Sequence, residues 1–251
     1  MNNLMKNSEL KAIVNKKLAD KSAVLGFVKK KGLYIKPITE NIYGTLGFSP
    51  YISSYTKQIL SNTVIGVRIE SVEVLLHRLC FDEREKFLSY TLGMNIGYLM
   101  PQRKYYEWDF SNEKQIDSQI ESWSNALQEY GYNYYKEMGN FDKVFDIFNN
   151  DKNITNSQKE TYIPVLYYLM GEKEKGLKYI EETIKKYNHI TRDKFLKVIN
   201  MKTKEIIKYD IDTLSDKDIL ALLKPGYEIQ SPYTPKLEPY YMTFVENYRA
   251  L

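Results

Sequence analysis

The chain has one cysteine, Cys80, and two histidines, His77 and His189, in 251 residues. A lone thiol excludes an intramolecular disulfide and any multi-thiolate metal site, and two imidazoles fall short of a three-histidine zinc centre. Charges or prolines break every apolar run well before the roughly 18 residues that a membrane span needs, so no membrane segment is expected. The opening MNNLMKNSELKAIVNKKLADK carries a charge every few residues and lacks the uninterrupted apolar stretch of a secretion signal, which makes the cytoplasm the expected compartment. The P-loop, dinucleotide, serine-hydrolase and zinc-protease signatures are all missing, so neither a cofactor nor a metal is expected.

Arginine is also scarce, at six residues against 30 lysines, while Asn, Ile and Tyr are abundant. These residues have codons rich in A and T, which points to an AT-rich bacterial or phage genome rather than to selection for positive charge. The formal charge of +4 is unevenly spread: residues 1 to 40 hold nine lysines against Glu9, Asp20 and Glu40. Lys29, Lys30 and Lys31 form the densest part of that excess. Such a segment steers an acidic partner or meets phosphate, although nucleic-acid surfaces carry more arginine and a solvated helix face has the same composition.

What is present reads as an α+β chain. Ser8 is an N-cap candidate, and Leu10, Ile13, Val14 and Leu18 lie on one stripe of a first helix ending near Gly26. LYIKPI reads as a strand, and Ile42, Gly44, Leu46 and Phe48, then Ile65, Val67 and Ile69, alternate as two more. Residues 71 to 80, SVEVLLHRLC, fit either a strand or a short helix. The strongest alternation is Leu88, Tyr90, Leu92, Met94, Ile96, Tyr98 and Met100, which predicts a long central strand with a shallow second face of Ser89, Thr91, Gly93, Asn95 and Gly97. That second face suits solvent, a ligand or a covering helix, and exposure is the favoured reading.

From residue 111 the period changes. Ile116, Ile120, Trp123, Leu127 and Tyr130 mark a long amphipathic helix, and Gly139 and Gly171 stand where one helix ends and the next begins. Residues 197 to 210 read as a strand or hairpin, 215 to 226 as a capped helix, and the proline- and tyrosine-rich tail as a segment that packs down. The expected organisation is therefore a helix plus a mainly antiparallel sheet over residues 1 to 110, followed by a mostly helical region over 111 to 251.

The glycine spacing around 131 to 187 resembles tetratricopeptide hairpins, with Gly139 and Gly171 at the turns and Gly176 at the small position of a second helix; Val144 takes that place in the first copy. Fewer than three repeats are present, below what a solenoid needs. LGFVKKKGLYIKPI, NIGYLMP and the Trp-containing helix that follows resemble a family of uncharacterised bacterial α+β proteins, some found near toxin and immunity loci. The resemblance covers roughly the first 150 residues and carries no functional residues with it. It implies a cytoplasmic protein without a known catalytic centre, one that neutralises a partner protein such as a toxin or defence component.

The candidate partner-binding residues are Arg103, Lys104, Tyr105, Tyr106 and Trp108 in PQRKYYEWDF, because interleaved aromatic and cationic side chains dominate protein recognition sites. Lys29, Lys30 and Lys31 serve as a secondary electrostatic element. The expected function is a non-enzymatic protein-binding module, an immunity or inhibitor protein. The alternatives are a nucleic-acid-binding protein that uses the basic segment with the 103 to 108 aromatics, since tyrosine and tryptophan also stack on bases, or an enzyme without a recognisable motif. His77 and Cys80, three residues apart, are its cheapest probe: on a helix they share a face as a reactive thiol or partial metal site, but a buried cysteine beside a hydrogen-bonded histidine is the favoured reading.

Overall fold

The computed structural model describes residues 6–80, 89–189, 195–210, 227–230 and 239–251. It opens with α1 (Asn7–Val24), which buries Leu10, Val14 and Leu18 at the four-residue spacing the sequence sets. The helix begins two residues earlier than expected, with Lys6 at the N-cap, so Ser8 sits inside its first turn rather than capping it. A tight hairpin follows, β1 (Val28–Lys30) and β2 (Leu33–Pro37), turned by Lys31 and Gly32, both with positive φ. The lysine run thus lies in this hairpin, Lys29 and Lys30 in β1 and Lys31 in its turn.

Among the described residues the main sheet has seven strands, all antiparallel. Its organising element is β5 (Ile59–Ile69). On one edge β5 pairs with β3 (Ile42–Phe48) and then with the short β4 (Tyr51–Ile52), as Phe48 meets Thr63 and Tyr51 meets Leu60. On the other edge it pairs with β6 (Leu92–Asn95) and β7 (Glu107–Asp109), as Val64 meets Asn95 and Asn62 meets Glu107. β6 and β7 are thus two halves of one edge line, interrupted by the excursion of residues 96–106.

That interruption corrects the long strand expected at 88 to 100. Leu92 and Met94 do face the core side, but the ladder stops at Asn95 and a 3-10 turn, Ile96–Tyr98, takes over. Alternation alone did not report that the Asn95 side chain stands in for the next ladder partner. Of the expected shallow face, Gly93 is exposed, whereas Thr91, Asn95 and Gly97 are buried. Leu88 lies outside the described residues.

Period two along β5 sends Ile59, Ser61, Thr63, Ile65 and Val67 to one face, and that face is covered by helix. The covering layer is α3 (Ile116–Ala126), a π-helical turn (Leu127–Gly131) and α4 (Tyr132–Met138), running on as one rod. Trp123 Nε1 donates to Thr63 Oγ1 at 2.8 Å, and Tyr135 Oη donates to the Thr45 carbonyl at 2.8 Å. α1 lies beside this rod, with Lys17 paired to Asp117 and Lys21 to Glu121. Burial of Trp123, Leu127, Leu46 and Ile65 supplies the driving force, about 1.5–3 kcal/mol for each large apolar side chain.

The segment left open at 71 to 80 is a helix, α2 (Glu70–Cys80), that grows straight out of β5. At this junction Arg68, fully buried, donates to Glu70 Oε2 at 2.7 Å and to the Ser89 carbonyl at 2.9 Å. Glu73 beside it accepts from Thr91 Oγ1 at 2.8 Å and from Tyr162 Oη at 3.1 Å. Tyr162 belongs to α6 (Asn156–Leu169), so this network bolts the helical region to the end of the sheet.

The expected hairpins form. α4 turns at Gly139 into α5 (Phe141–Asn150), whose first turn is capped by Asn140, and α6 turns at Gly171 into α7 (Lys173–His189). Gly171 has φ +77°, and its amide and that of Glu172 reach back to the Tyr168 and Tyr167 carbonyls, a Schellman ending that a Cβ disfavours. Residues 197 to 210 are a hairpin, β8 (Phe195–Asn200) and β9 (Ile206–Asp210), extended by β10 (Tyr227–Gln230) into a second, three-stranded sheet. The helix expected from 215 to 226 lies entirely outside the described residues. The described part of the tail does pack down: α8 (Pro239–Ala250) buries Tyr241, Phe244, Val245 and Tyr248, while residues 231–238 lie outside the described residues.

Gly176 shows why a small residue stands in α7. Tyr248 lies directly over it and donates to the Pro164 carbonyl at 2.9 Å, where any Cβ on residue 176 would run into the phenol. Gly176→Ala gains helix propensity of about 1 kcal/mol but forces the buried phenol off its acceptor. A net loss of about 1–3 kcal/mol is expected in urea unfolding. Adding Tyr248→Phe, which removes the clashing oxygen, should recover part of it.

Candidate functional site

The excursion 96–106 is pinned at its base by one side chain. Asn95 Oδ1 accepts from the amides of Gly97 at 2.9 Å and Tyr106 at 3.0 Å, while Asn95 Nδ2 donates to the Tyr106 carbonyl at 3.0 Å. The amide group thus copies a strand's donor and acceptor pattern and closes the loop like a clasp. Gly97 is required beneath it, because a Cβ there would overlap the Lys104 carbonyl and the backbone of Tyr106. At the tip, Met100 to Arg103 make a turn closed by the Arg103 amide on the Met100 carbonyl at 2.9 Å, with Pro101 fixing the second position and Arg103 at φ +45°.

The structure divides the five residues singled out in the sequence. Arg103 and Lys104 are exposed at the loop tip, and Tyr105 is 48% exposed. Tyr106 is half-buried, its ring edge-on to Trp108 at 4.8 Å between centroids. Trp108 is 1% exposed and belongs to the core, which corrects its assignment to a contact surface. The reason is strand alternation: in β7 Glu107 and Asp109 face outward, so Trp108 between them faces the helices, opposite Ser61. The polar-apolar-polar run EWD carried that signal.

Other side chains take its place. Tyr51 Oη from β4 and Tyr105 Oη from the loop both donate to Glu107 Oε1, at 3.0 and 2.9 Å, and Asn62 Nδ2 from β5 donates to Tyr105 Oη at 2.9 Å. Tyr51 is 39% and Tyr98 51% exposed, and Tyr90 lies across Gly93 on the same outward face. Ordering forces follow directly: the Glu107 hydrogen bond raises the Tyr51 phenol above its ordinary pKa, and partial burial is the main cause of the rise at Tyr105. The result is an outward face carrying tyrosines from β4, β6's lead-in and the loop, mounted on a sheet whose other face is fully packed. Tyr51 and Glu107 are 56 positions apart, and no local pattern joins them.

The basic segment is elsewhere. Lys29 and Lys30 lie in β1, at the opposite edge of the sheet from β7. With strands about 4.8 Å apart, four steps put Lys29 to Lys31 roughly 19 Å from the loop's edge, so the two basic-aromatic elements do not make one surface. Part of the lysine excess is also used internally: Lys17 and Lys21 pair with α3, and Lys36 Nζ caps the end of α1 on the Leu25 carbonyl at 2.9 Å, over the Tyr132 ring.

Cys80 is buried, and burial pushes its thiol up to about 12. A thiol that stays protonated at neutral pH is a poor nucleophile. Among the described residues no group of three His, Cys, Asp or Glu side chains is arranged to hold a metal ion. A cleft of about 370 Å³ at the C-terminal end is lined by Arg78, Leu79, Tyr168, Asn247, Ala250 and Leu251, and it contains neither Arg68 nor Glu73. No helix among the described residues is long and apolar enough to cross a membrane.

Two measurements check this geometry. Asn95→Ala removes three hydrogen bonds from buried and half-buried partners and should cost about 2–3 kcal/mol, with hydrogen exchange accelerated first at the Gly97 and Tyr106 amides. Iodoacetamide at pH 8 should leave Cys80 unmodified in the folded protein and alkylate it fully in denaturant; modification at equal rates would return the thiol to the functional candidates.

No protein family, no curated protein and no solved structure matches this chain.

Proposed function

We propose that the protein is a non-enzymatic protein-binding module whose contact surface is the tyrosine-bearing outward face around β4, β7 and the 96–106 loop. The observation that carries this reading is the convergence of exposed Tyr51 and Tyr105 on Glu107, with exposed Tyr98 near Tyr105, beside a clasped loop. Tyrosine buries a large amphipathic ring at the cost of few rotatable bonds, and a rigid mount lowers the entropy lost on docking. Such surfaces suit recognition of another folded protein. The role that fits a chain offering such a face is that of an inhibitor or immunity protein, which covers the working surface of a partner.

The nucleic-acid alternative loses support from the separation of Lys29 to Lys31 from the loop, because phosphate binding needs cations and stacking rings along one track. A concave site with a perturbed acid or base, which an enzyme needs, has no counterpart in the geometry around Cys80.

Tyr51→Ala combined with Tyr105→Ala tests the reading. Pull-down from source-cell extract with adjacent gene products should recover a specific protein with the wild type, and the double variant should weaken that complex by about 2 kcal/mol or more, roughly 30-fold. Unfolding midpoints should stay close to wild type, since both side chains are exposed. Trp108→Ala, in contrast, should cost about 3–5 kcal/mol of stability. Retention of full binding by the tyrosine double variant would overturn the assignment.

A further inference from the structure

The partner's chemistry at this surface is legible in Glu107, an inference that rests on the protein-binding reading above. Glu107 is half-buried on the outward side of β7, and its Oε1 accepts from both Tyr51 and Tyr105. Asn62 donates to the Tyr105 oxygen, which leaves the phenol hydrogen directed at the carboxylate. Two neutral donors fix the carboxylate's position without cancelling its charge. No cation among the described residues lies within the 4.0 Å of an ion pair with Glu107. Arg103 and Lys104, though exposed on the neighbouring loop, do not reach it. Asp109, two residues on and facing the same way, adds negative potential while its own oxygens are taken by Ser111 and Gln58.

A preoriented carboxylate with one oxygen open, bonded through the other to two exposed tyrosines, is complementary to a planar cation. We propose that Glu107 receives an arginine side chain of the partner protein, with Tyr51 and Tyr105 as its aromatic walls. The guanidinium donates in a fork to the carboxylate and stacks on a ring, whereas an ammonium offers only a point charge. Glu107 sets specificity, and the tyrosines supply area. A phosphate-bearing ligand is repelled at the same place.

The probe is N-acetylarginine methylamide, with the neutral citrulline analogue of the same shape as control, titrated into the full-length chain labelled with 15N. Arginine should move the amide signals of Asn62, Tyr105 and Glu107 saturably, and citrulline should bind about tenfold more weakly or worse, because charge-assisted hydrogen bonds are roughly twice as strong as neutral ones. Glu107→Gln keeps an acceptor oxygen for the two phenols and removes only the charge; it should weaken arginine binding to the level of citrulline without moving the melting temperature. Equal titration by arginine and citrulline, or unchanged arginine binding by Glu107→Gln, overturns the proposal. Partner capture separates it from the broader reading. If Glu107→Gln captures as wild type while the tyrosine double variant does not, the arginine receptor falls and the protein-binding surface stands.

Discussion

One strand, β5, has to satisfy everything around it at once. Its core-side residues, Ile59, Ser61, Thr63, Ile65 and Val67, are covered by the α3 to α4 rod, and its two edges carry β3 with β4 and β6 with β7. Because side chains alternate, committing one face to helix packing commits Leu60, Asn62 and Val64 to the other. The rod cannot reach them. The exposed tyrosine face is therefore the necessary reverse of a well-packed core rather than a separate addition to it.

The same strand explains how a surface loop is held rigid. A loop of this size would ordinarily be mobile, but both of its ends are strands paired to β5, and Asn95 ties the base with hydrogen bonds in three directions. Tyr106 and Trp108 anchor the returning limb, since their rings pack against each other and the core. Tyr98 and the tip from Pro101 to Tyr105 are then left to project. At the opposite end of β5, Arg68 and Glu73 tie the sheet to the helical hairpins through Tyr162. Burial raises the Tyr162 phenol, which favours the protonated form that donates to Glu73.

Much of this was legible in the residues. The stripe Ile116, Ile120, Trp123, Leu127 reports one face of one helix, and Gly139 and Gly171 report its successors' turns, because helix period and chain reversal are local properties. The alternations at Ile42 to Phe48 and Ile65 to Ile69 became strands for the same reason. Two local readings failed for non-local causes. Residues 88 to 100 alternate over a length that ought to extend, yet Asn95 exchanges the ladder for its own amide group. Trp108 looked like a contact residue because aromatics beside cations do look so, and its direction depends on which side of β7 meets the helices.

What the sequence determined alone is the α+β class and the order of helix, sheet and hairpins, each following from patterns a few residues long; its single cysteine leaves no intramolecular disulfide or multi-thiolate site to form within these residues. The tertiary structure decided which tyrosines are surface and which are core, brought Tyr51, Asn62 and Tyr105 to Glu107 across three separate segments, and set Lys29 to Lys31 at the far edge of the sheet. Those outcomes depend on strand order and register. Pairing energy along β5 sets both, and no short stretch of chain contains it.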